Sequence, residues 1–290
     1  MNTEVELDRP REFMRALRRL VHVGVADFML HYFHALVARV VYAASRSRKP
    51  IDERLSKIIE DLKSNQFHIV TDPEIKRLAH EAFGPIMERL DKVSQESGPE
   101  SRPIEYVTKA GYSGIQAFLG NQTHLGDFTT EEHGNIRDFC DNSGLSAVFR
   151  AFFRAHYGVC NVRSWRYLPI SSSDHGNIRP HFDGLAPHTL KMMHFRGSID
   201  EDSGCLMLLD KHDRVFAKTL GESPLIIFNA NWIKHHATAP KTTRARDTVE
   251  ITLMPQLKRT PAVVAGGFQA GNPVNPFRKW DRPIRSIVGI

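Results

Sequence analysis

After Gly158 the sequence changes from long helical patterns to a succession of short β-prone runs separated by turns. No long helical pattern lies between these runs, so the strands are expected to pair in the antiparallel sense. Many short antiparallel strands at this spacing are typical of a sandwich or a barrel. The predicted strands are 161–168, 179–183, 190–199, 204–210, 224–230, 233–238 and 246–254.

The residues before Gly158 carry apolar stripes of helical period, which predict helices and one short strand. Polar, proline-containing breaks at 45–51 and 94–104 separate these elements. We therefore expect a helical extension over 1–50, a main domain over 51–260 with its β core at about 160–255, and a tail over 261–290. The predicted helices are 11–44, 52–64, 73–93 and 131–157, the last split at the DNSG turn, and the predicted strand is 66–70.

The chain of 290 residues has a formal net charge of +6, which favours anionic partners. The basic residues are scattered and show no aromatic-basic repeat or finger spacing, so nucleic acid is not an expected partner. The three cysteines form no C-x-x-C pair, and their odd number gives no disulfide framework. This cysteine usage is typical of a reducing compartment, and we expect a cytoplasmic location.

The most apolar stretch of the chain, from Leu20 to Ala44, leaves two alternatives open. Charged residues and histidines interrupt it, among them Asp27 and Arg39, so it is a poor candidate for a membrane span. One alternative is a helix packed against the protein or a partner. The other is an interfacial helix, since residues 11–49 have basic residues on both sides of the apolar stretch and could bind an anionic membrane surface peripherally.

Two separated motifs in the β region carry residues that can bind a metal. His181 and Asp183 are two residues apart, so on a strand they point to the same face. Much later, adjacent histidines occur in WIKHHATAP, and because neighbours on a strand face opposite ways only one of His235 and His236 can join the pair. Two histidines and one carboxylate leave open positions on Fe(II), which suits oxygen chemistry. H-x-D alone is a weak motif, and surface strand residues are the competing interpretation.

Arg246 adds a third feature, ten residues beyond His236 in the strand-like run RDTVEITLMP. A guanidinium inside an apolar β pocket is costly unless it meets a carboxylate. Its planar fork matches a carboxylate with two parallel hydrogen bonds. This layout predicts a site for the far carboxylate of 2-oxoglutarate. An ordinary surface salt bridge is the alternative, since Arg244 and Asp247 are close in sequence.

Four stretches together resemble the phytanoyl-CoA dioxygenase family of Fe(II)/2-oxoglutarate oxygenases. This resemblance implies an α+β fold whose core is a double-stranded β-helix of jelly-roll or cupin type, with an N-terminal helical region packed on it. LMLLDKHD replaces the family's usual Pro-Gly-Ser-His run, and residues 1–60 have no recognisable counterpart. The matching stretches are RPHFDG at 179–184, MMHFRGSIDEDSGCLMLLDKHD at 192–213, PLIIFNANWIKHHATAP at 224–240 and RDTVEI at 246–251.

The resemblance also implies the roles of individual residues. Iron is expected on His181, Asp183 and His236, with no catalytic residue beyond these ligands. Arg246 is expected to hold the C5 carboxylate of 2-oxoglutarate, and Thr238 to assist it. His236 is preferred over His235 because Thr238 follows it by two residues, which fits the family's order of histidine, any residue, small hydroxyl residue.

The expected function is that of a dioxygenase that uses Fe(II), 2-oxoglutarate and O2 to hydroxylate an unactivated C–H bond of a small molecule or lipid-linked metabolite. Arg163, Tyr167 and Arg196 are candidate contacts for an anionic substrate, although exposed charge on a solvated sheet is an alternative interpretation. The competing function is a non-catalytic or differently metallated cupin-like binding protein. No H-x-H cluster of the usual cupin kind occurs near residue 181. The sequence defines neither the substrate nor the oligomeric state.

Overall fold

A computed structural model of the chain describes residues 25–44, 51–96, 122–125, 128–167, 180–183, 188–241 and 244–257. The predicted start of the first helix and the predicted tail over 261–290 lie outside these residues.

Five helices cover the N-terminal half of the described chain. The helix predicted over 131–157 is split in two as expected, but it ends earlier, at Phe153. Arg154 adopts a φ of 53° that stops the helix, and a strand begins two residues later. Gly144, with a φ of 77°, makes the turn between the two parts. The helices are α1 (Val25–Ala44), α2 (Glu53–Ser64), α3 (Pro73–Glu96), α4 (Thr130–Asn142) and α5 (Leu145–Phe153).

The strands form a six-stranded sheet, a three-stranded sheet and a two-stranded ribbon, and the described strand pairs are all antiparallel. The large sheet has the order β1-β9-β4-β11-β3-β2 and the small sheet the order β10-β6-β7. The strands are β1 (Phe67–Val70), β2 (Gln122–His124), β3 (His156–Tyr167), β4 (Leu190–Phe195), β5 (Ser198–Ile199), β6 (Leu206–Leu209), β7 (Val215–Lys218), β8 (Gly221–Glu222), β9 (Leu225–Phe228), β10 (Lys234–Ala237) and β11 (Arg246–Gln256).

The large sheet separates two apolar cores, because its side chains alternate between its two faces. On β11, Val249, Ile251 and Leu253 face the helices and join the larger core. The opposite face, which we call the interior face, packs against the small sheet. This second core contains residues of both sheets, namely Trp165, Tyr167, Met193, Phe195, Leu206, Leu208, Ile226 and Phe228. The α+β class is therefore confirmed, and the antiparallel two-sheet core agrees with the sandwich prediction.

Helix α1 packs beside the end of β11 and the start of β3 through small and polar side chains. Ala35 and Ala38 are buried, and His34 Nε2 lies 3.1 Å from the carbonyl oxygen of Pro255 at the end of β11. Arg39 donates from Nε to the carbonyl oxygen of Phe153 at 3.1 Å. These contacts fix which side of α1 faces the protein. None of the helices in the described part of the chain is both long and apolar enough to cross a bilayer.

Candidate metal centre

His181 and Asp183 lie on a short extended segment beside the small sheet. His181 forms an antiparallel bridge with His235 of β10, and Asp183 donates from its backbone amide to the carbonyl oxygen of Ala230 at 3.0 Å. The two backbone contacts hold the H-x-D segment extended. Its two functional side chains therefore share a face, as the spacing of two predicts.

The register of β10 selects His235 as the second histidine of the site. His235 is opposite Leu208, a residue of the core between the sheets, and its side chain is 5% exposed. His236 is opposite Met207 and takes the other face of the strand. The structure therefore brings His235, and not the predicted His236, beside His181 and Asp183, because the bridge to His181 sets the register of β10.

His181, Asp183 and His235 bring one possible ligand atom each to within 4.8 Å of one another. Asp183 Oδ1 lies 3.4 Å from His181 Nε2 and 3.6 Å from His235 Nε2. Burial lowers the pKa of His235 to about 4, so its imidazole is neutral at physiological pH and has a lone pair to offer a metal. Two imidazoles and one carboxylate oxygen on one side of a point are the donor set of a facial triad.

Lys191 holds the second oxygen of the same carboxylate. Its Nζ lies 2.5 Å from Asp183 Oδ2 and 2.9 Å from an oxygen of Glu250. Burial opposes the ionisation of Asp183, but the charge of Lys191 and the contact with His181 keep its pKa well below the usual value. Arg163 also pairs with Glu250, through Nε at 2.9 Å. The two cations and two carboxylates thus balance inside the sandwich, and Oδ1 of Asp183 remains directed at the histidines.

Arg246 is a buried cation at the start of β11, on the same interior face. Its guanidinium donates from Nη1 to the carbonyl oxygen of Thr238 at 2.7 Å and lies 5.2 Å from the centre of the Tyr167 ring. Among the described residues no carboxylate pairs with it, and its Nε has no hydrogen-bond partner there. Burial lowers its pKa to about 10, which still leaves it charged. The surface salt bridge considered from the sequence does not form, because Arg244 pairs with Asp200 and Asp247 with Arg166.

Two neighbours shape the surroundings of Arg246. Thr248 lies two residues further along the same strand face, and its buried hydroxyl has no hydrogen-bond partner among the described residues. Gly204 approaches so closely that an added Cβ would lie 2.4 Å from the carbonyl oxygen of Thr238 and 2.7 Å from Nη1 of Arg246. The glycine of the S-G-C-L run therefore allows the guanidinium to reach its place.

The remaining predicted site residues have different outcomes. The hydroxyl of Thr238 accepts from the backbone amide of Cys205 at 2.7 Å, and its predicted role with the cosubstrate stays a prediction. Arg196 lies on the helix side of the sheet, where it pairs with Asp91 of α3 and with Asp247. It therefore lies on the other face of the sheet from Arg246, and its predicted substrate contact stays a prediction.

Tyr167 and Arg163 do lie on the interior face, opposite Arg246 and Glu250 respectively. Tyr167 is buried under the guanidinium of Arg246, whereas the side chain of Arg163 keeps 26% of its surface exposed. The predicted substrate role therefore stays open for Arg163 in particular.

Three residues of the interior face were not predicted from the sequence, namely Lys191, Glu250 and Thr248. Thr248 and Glu250 follow Arg246 by two and four residues, so the alternation of a strand would have placed all three on one face. Lys191 stands in an apolar strand, LKMMHF, where a lone cation indicates a buried partner.

No protein-family model matches the chain, and the search of curated proteins found no match. Similar solved structures include a prolyl-4-hydroxylase from Pseudomonas putida, with 12% identity and a TM-score of 0.42 over 70% of this chain and 99% of that one. A prolyl hydroxylase from Trichoplax adhaerens has 13% identity and a TM-score of 0.44 over 71% and 90%. HygX from Streptomyces hygroscopicus, with nickel and 2-oxoglutarate bound, has 12% identity and a TM-score of 0.40 over 69% and 86%. At these scores the function must be argued from the site itself.

Proposed function

We propose that this protein is an Fe(II)- and 2-oxoglutarate-dependent dioxygenase of the phytanoyl-CoA dioxygenase type, with a double-stranded β-helix core. The observation that carries the proposal is the pairing of two unusual features on one interior face. His181, Asp183 and His235 form a donor set for one metal ion, and Arg246 is a buried cation without a carboxylate partner among the described residues. A buried guanidinium in this state favours an anionic ligand, because ion pairing offsets its desolvation.

Different residues would bind the metal and the cosubstrate. His181 and His235 would bind Fe(II) through Nε2 and Asp183 through Oδ1, while Lys191 keeps the other carboxylate oxygen engaged. Arg246 would receive the C5 carboxylate of 2-oxoglutarate. When bound, Fe(II) and 2-oxoglutarate supply O2 activation coupled to decarboxylation, and the protein supplies position and the exclusion of water.

The hydroxyl of Thr248 supports the same assignment. It lies on the strand face of Arg246 and has no partner among the described residues, so it can donate to the carboxylate that the guanidinium binds. Thr248 would thus be the hydroxyl residue that assists in binding 2-oxoglutarate, the role that the resemblance implies for Thr238. The two groups together would hold one end of a small dicarboxylate.

The primary substrate is proposed to be a small molecule with an anionic group, and a lipid-linked metabolite fits this description. Arg163 has the most exposed side chain of the interior ionic network, at 26% against 15% or less for Asp183, Lys191 and Glu250. It is therefore the cation best placed to meet a ligand that enters from solvent. Replacing Arg163 with methionine is expected to raise the KM for substrate and leave the affinity for 2-oxoglutarate unchanged.

The direct test is anaerobic titration with Fe(II) and then 2-oxoglutarate. The proposal predicts a visible charge-transfer band that requires both additions, followed by O2-dependent release of succinate. Asp183→Ala should abolish the band, while His236→Ala should retain it. If the wild-type protein binds metal but shows no such band with 2-oxoglutarate, the result would instead support the cupin-like binding protein.

A further inference from the structure

The outward side of helix α1 from Tyr32 to Ala44 is apolar throughout. Its exposed residues include no charged side chain, and Phe33, Leu36 and Val40 are 64%, 57% and 62% exposed. Helix α2 shows the ordinary pattern, since its exposed residues are charged or serine, namely Glu53, Arg54, Ser56, Lys57, Glu60, Lys63 and Ser64. A continuous exposed apolar strip on a helix is typical of an interaction surface.

This apolar strip cannot be turned inward without breaking the contacts that seat the helix. The opposite side of α1 is held by His34 on the carbonyl of Pro255, by Arg39 on the carbonyl of Phe153 and by buried Ala38. The strip is therefore presented outward as a fixed feature of the fold.

Positive charge accompanies the apolar strip, in Arg154 and in the sequence on both sides of it. The exposed Arg154 is close enough to Arg39 to lower its pKa, after burial, which is the larger cause. In the sequence, residues 11–49 contain eight arginines and lysines against two acidic residues, an excess equal to the net charge of the whole chain. No acidic residue lies between Tyr32 and Ala44. The charge pattern matches an anionic surface.

The described part of the strip, from Tyr32 to Ala44, is by itself too small for a stable interface with a second copy of the chain. Thirteen helical residues span about 20 Å, and one helix face is about 10 Å wide, which gives a strip of a few hundred Å². A stable protein interface buries about 800 Å² on each partner. A lipid surface needs no complementary shape and accepts a narrow apolar strip with basic flanks.

We propose that α1 binds the surface of an anionic lipid bilayer, lying in its plane with the strip among the acyl chains and Arg154 at the headgroups. This binding does not rest on the oxygenase assignment. Helix α1 also contacts the segment that leads into β4, because Arg39 Nη2 lies 3.3 Å from Nδ1 of His188 and the Tyr32 ring packs on the same imidazole. His188 precedes β4, the strand that carries Lys191.

The test is co-sedimentation of the full chain with vesicles of phosphatidylcholine alone and of phosphatidylcholine mixed with phosphatidylglycerol. Binding is expected to be at least about tenfold stronger to the anionic vesicles and to weaken as salt is raised. The triple change Phe33→Ser, Leu36→Ser and Val40→Ser should abolish it. The matched control is Val215→Ser with Leu220→Ser, which removes two exposed apolar side chains elsewhere and should bind as the wild type does.

Near-ultraviolet circular dichroism verifies that each variant is folded. Vesicle binding that survives the triple change, equal binding to both vesicle types, or no binding by the wild type would each overturn the proposal. Light scattering measures the molar mass and tests whether a second copy covers the strip. If the wild type is a dimer that does not bind vesicles, and the triple change converts it to a monomer, the strip is a dimer interface and the proposal is overturned.

Discussion

His181 and His235 exchange both backbone hydrogen bonds across an isolated antiparallel bridge, at 2.9 Å in each direction. Directly opposed residues of this kind send their side chains to the same side. The imidazole centres lie 4.5 Å apart, with Asp183 Oδ1 within 3.6 Å of both Nε2 atoms. The bridge therefore sets which of two adjacent histidines lies in the candidate metal centre.

Replacing each of these histidines gives a matched test. His235→Ala removes one of three donors and should weaken the binding of Co(II) or Fe(II) by more than about 100-fold, beyond the loss that outer residues of a metal site cause. His236→Ala, one residue away on the other strand face, should bind metal as the wild type does. Calorimetry under anaerobic conditions measures both affinities. Equal losses in the two variants would contradict the assignment.

Arg246→Met should raise the Kd for 2-oxoglutarate by at least about 30-fold, since truncating a buried charged partner costs about 2 kcal/mol or more. Metal affinity without 2-oxoglutarate should not change. The apo protein should keep or gain stability, because the removed cation has no carboxylate partner among the described residues. Arg244→Met is the control, since Arg244 pairs with Asp200 at 3.5 Å on the surface. A destabilised apo Arg246→Met protein with unchanged Kd would assign Arg246 a purely structural role.

Lys191→Met should destabilise the apo protein by about 3 kcal/mol, because it leaves two buried carboxylates without their shared cation. A divalent metal should restore much of this loss, since it brings positive charge to Asp183. The increase in Tm on addition of Co(II) should therefore be larger in the variant than in the wild type. An identical metal-induced increase in both proteins would show that Lys191 does not act through Asp183.

His194 predicts a pH dependence of stability. Its side chain is buried beside Phe83, and burial lowers its pKa to about 3. In the unfolded chain a histidine titrates near 6.5, so the unfolded state gains a proton first as the pH falls, and stability is lost from about pH 6.5 down to the native pKa. At pH 5 this loss amounts to about 2 kcal/mol. His194→Gln should therefore lose less stability than the wild type between pH 7 and 5 in urea denaturation, and parallel curves would exclude the effect.

Local patterns predicted much of the architecture. In α2 the apolar positions Leu55, Ile58, Ile59 and Leu62 are all buried, as helical periodicity requires. The H-x-D pair follows from strand alternation alone. Strands β7 and β8 were missed because their residues are largely exposed and show no apolar alternation.

Contacts between distant segments explain the rest. The choice of His235 depends on pairing with a residue 54 positions earlier, which no local pattern contains. The ionic network joins Arg163, Asp183, Lys191 and Glu250 from four segments, and each charge alone could equally have belonged to a solvated strand face. The contacts of Thr238 and Arg196 could not be predicted for the same reason, since their partners come from other parts of the chain.

Strand β11 carries opposite charges on its two sides at adjacent positions. Arg246 enters the interior, while Asp247 meets Arg166 and Arg196 beneath α3. A shift of one residue would exchange them, placing a carboxylate where an anion is expected and a third arginine between two others. The two charges therefore fix the register of this strand. Changes in the length of the loop between β10 and β11 should permit folding only where Arg246 and Asp247 keep their present faces.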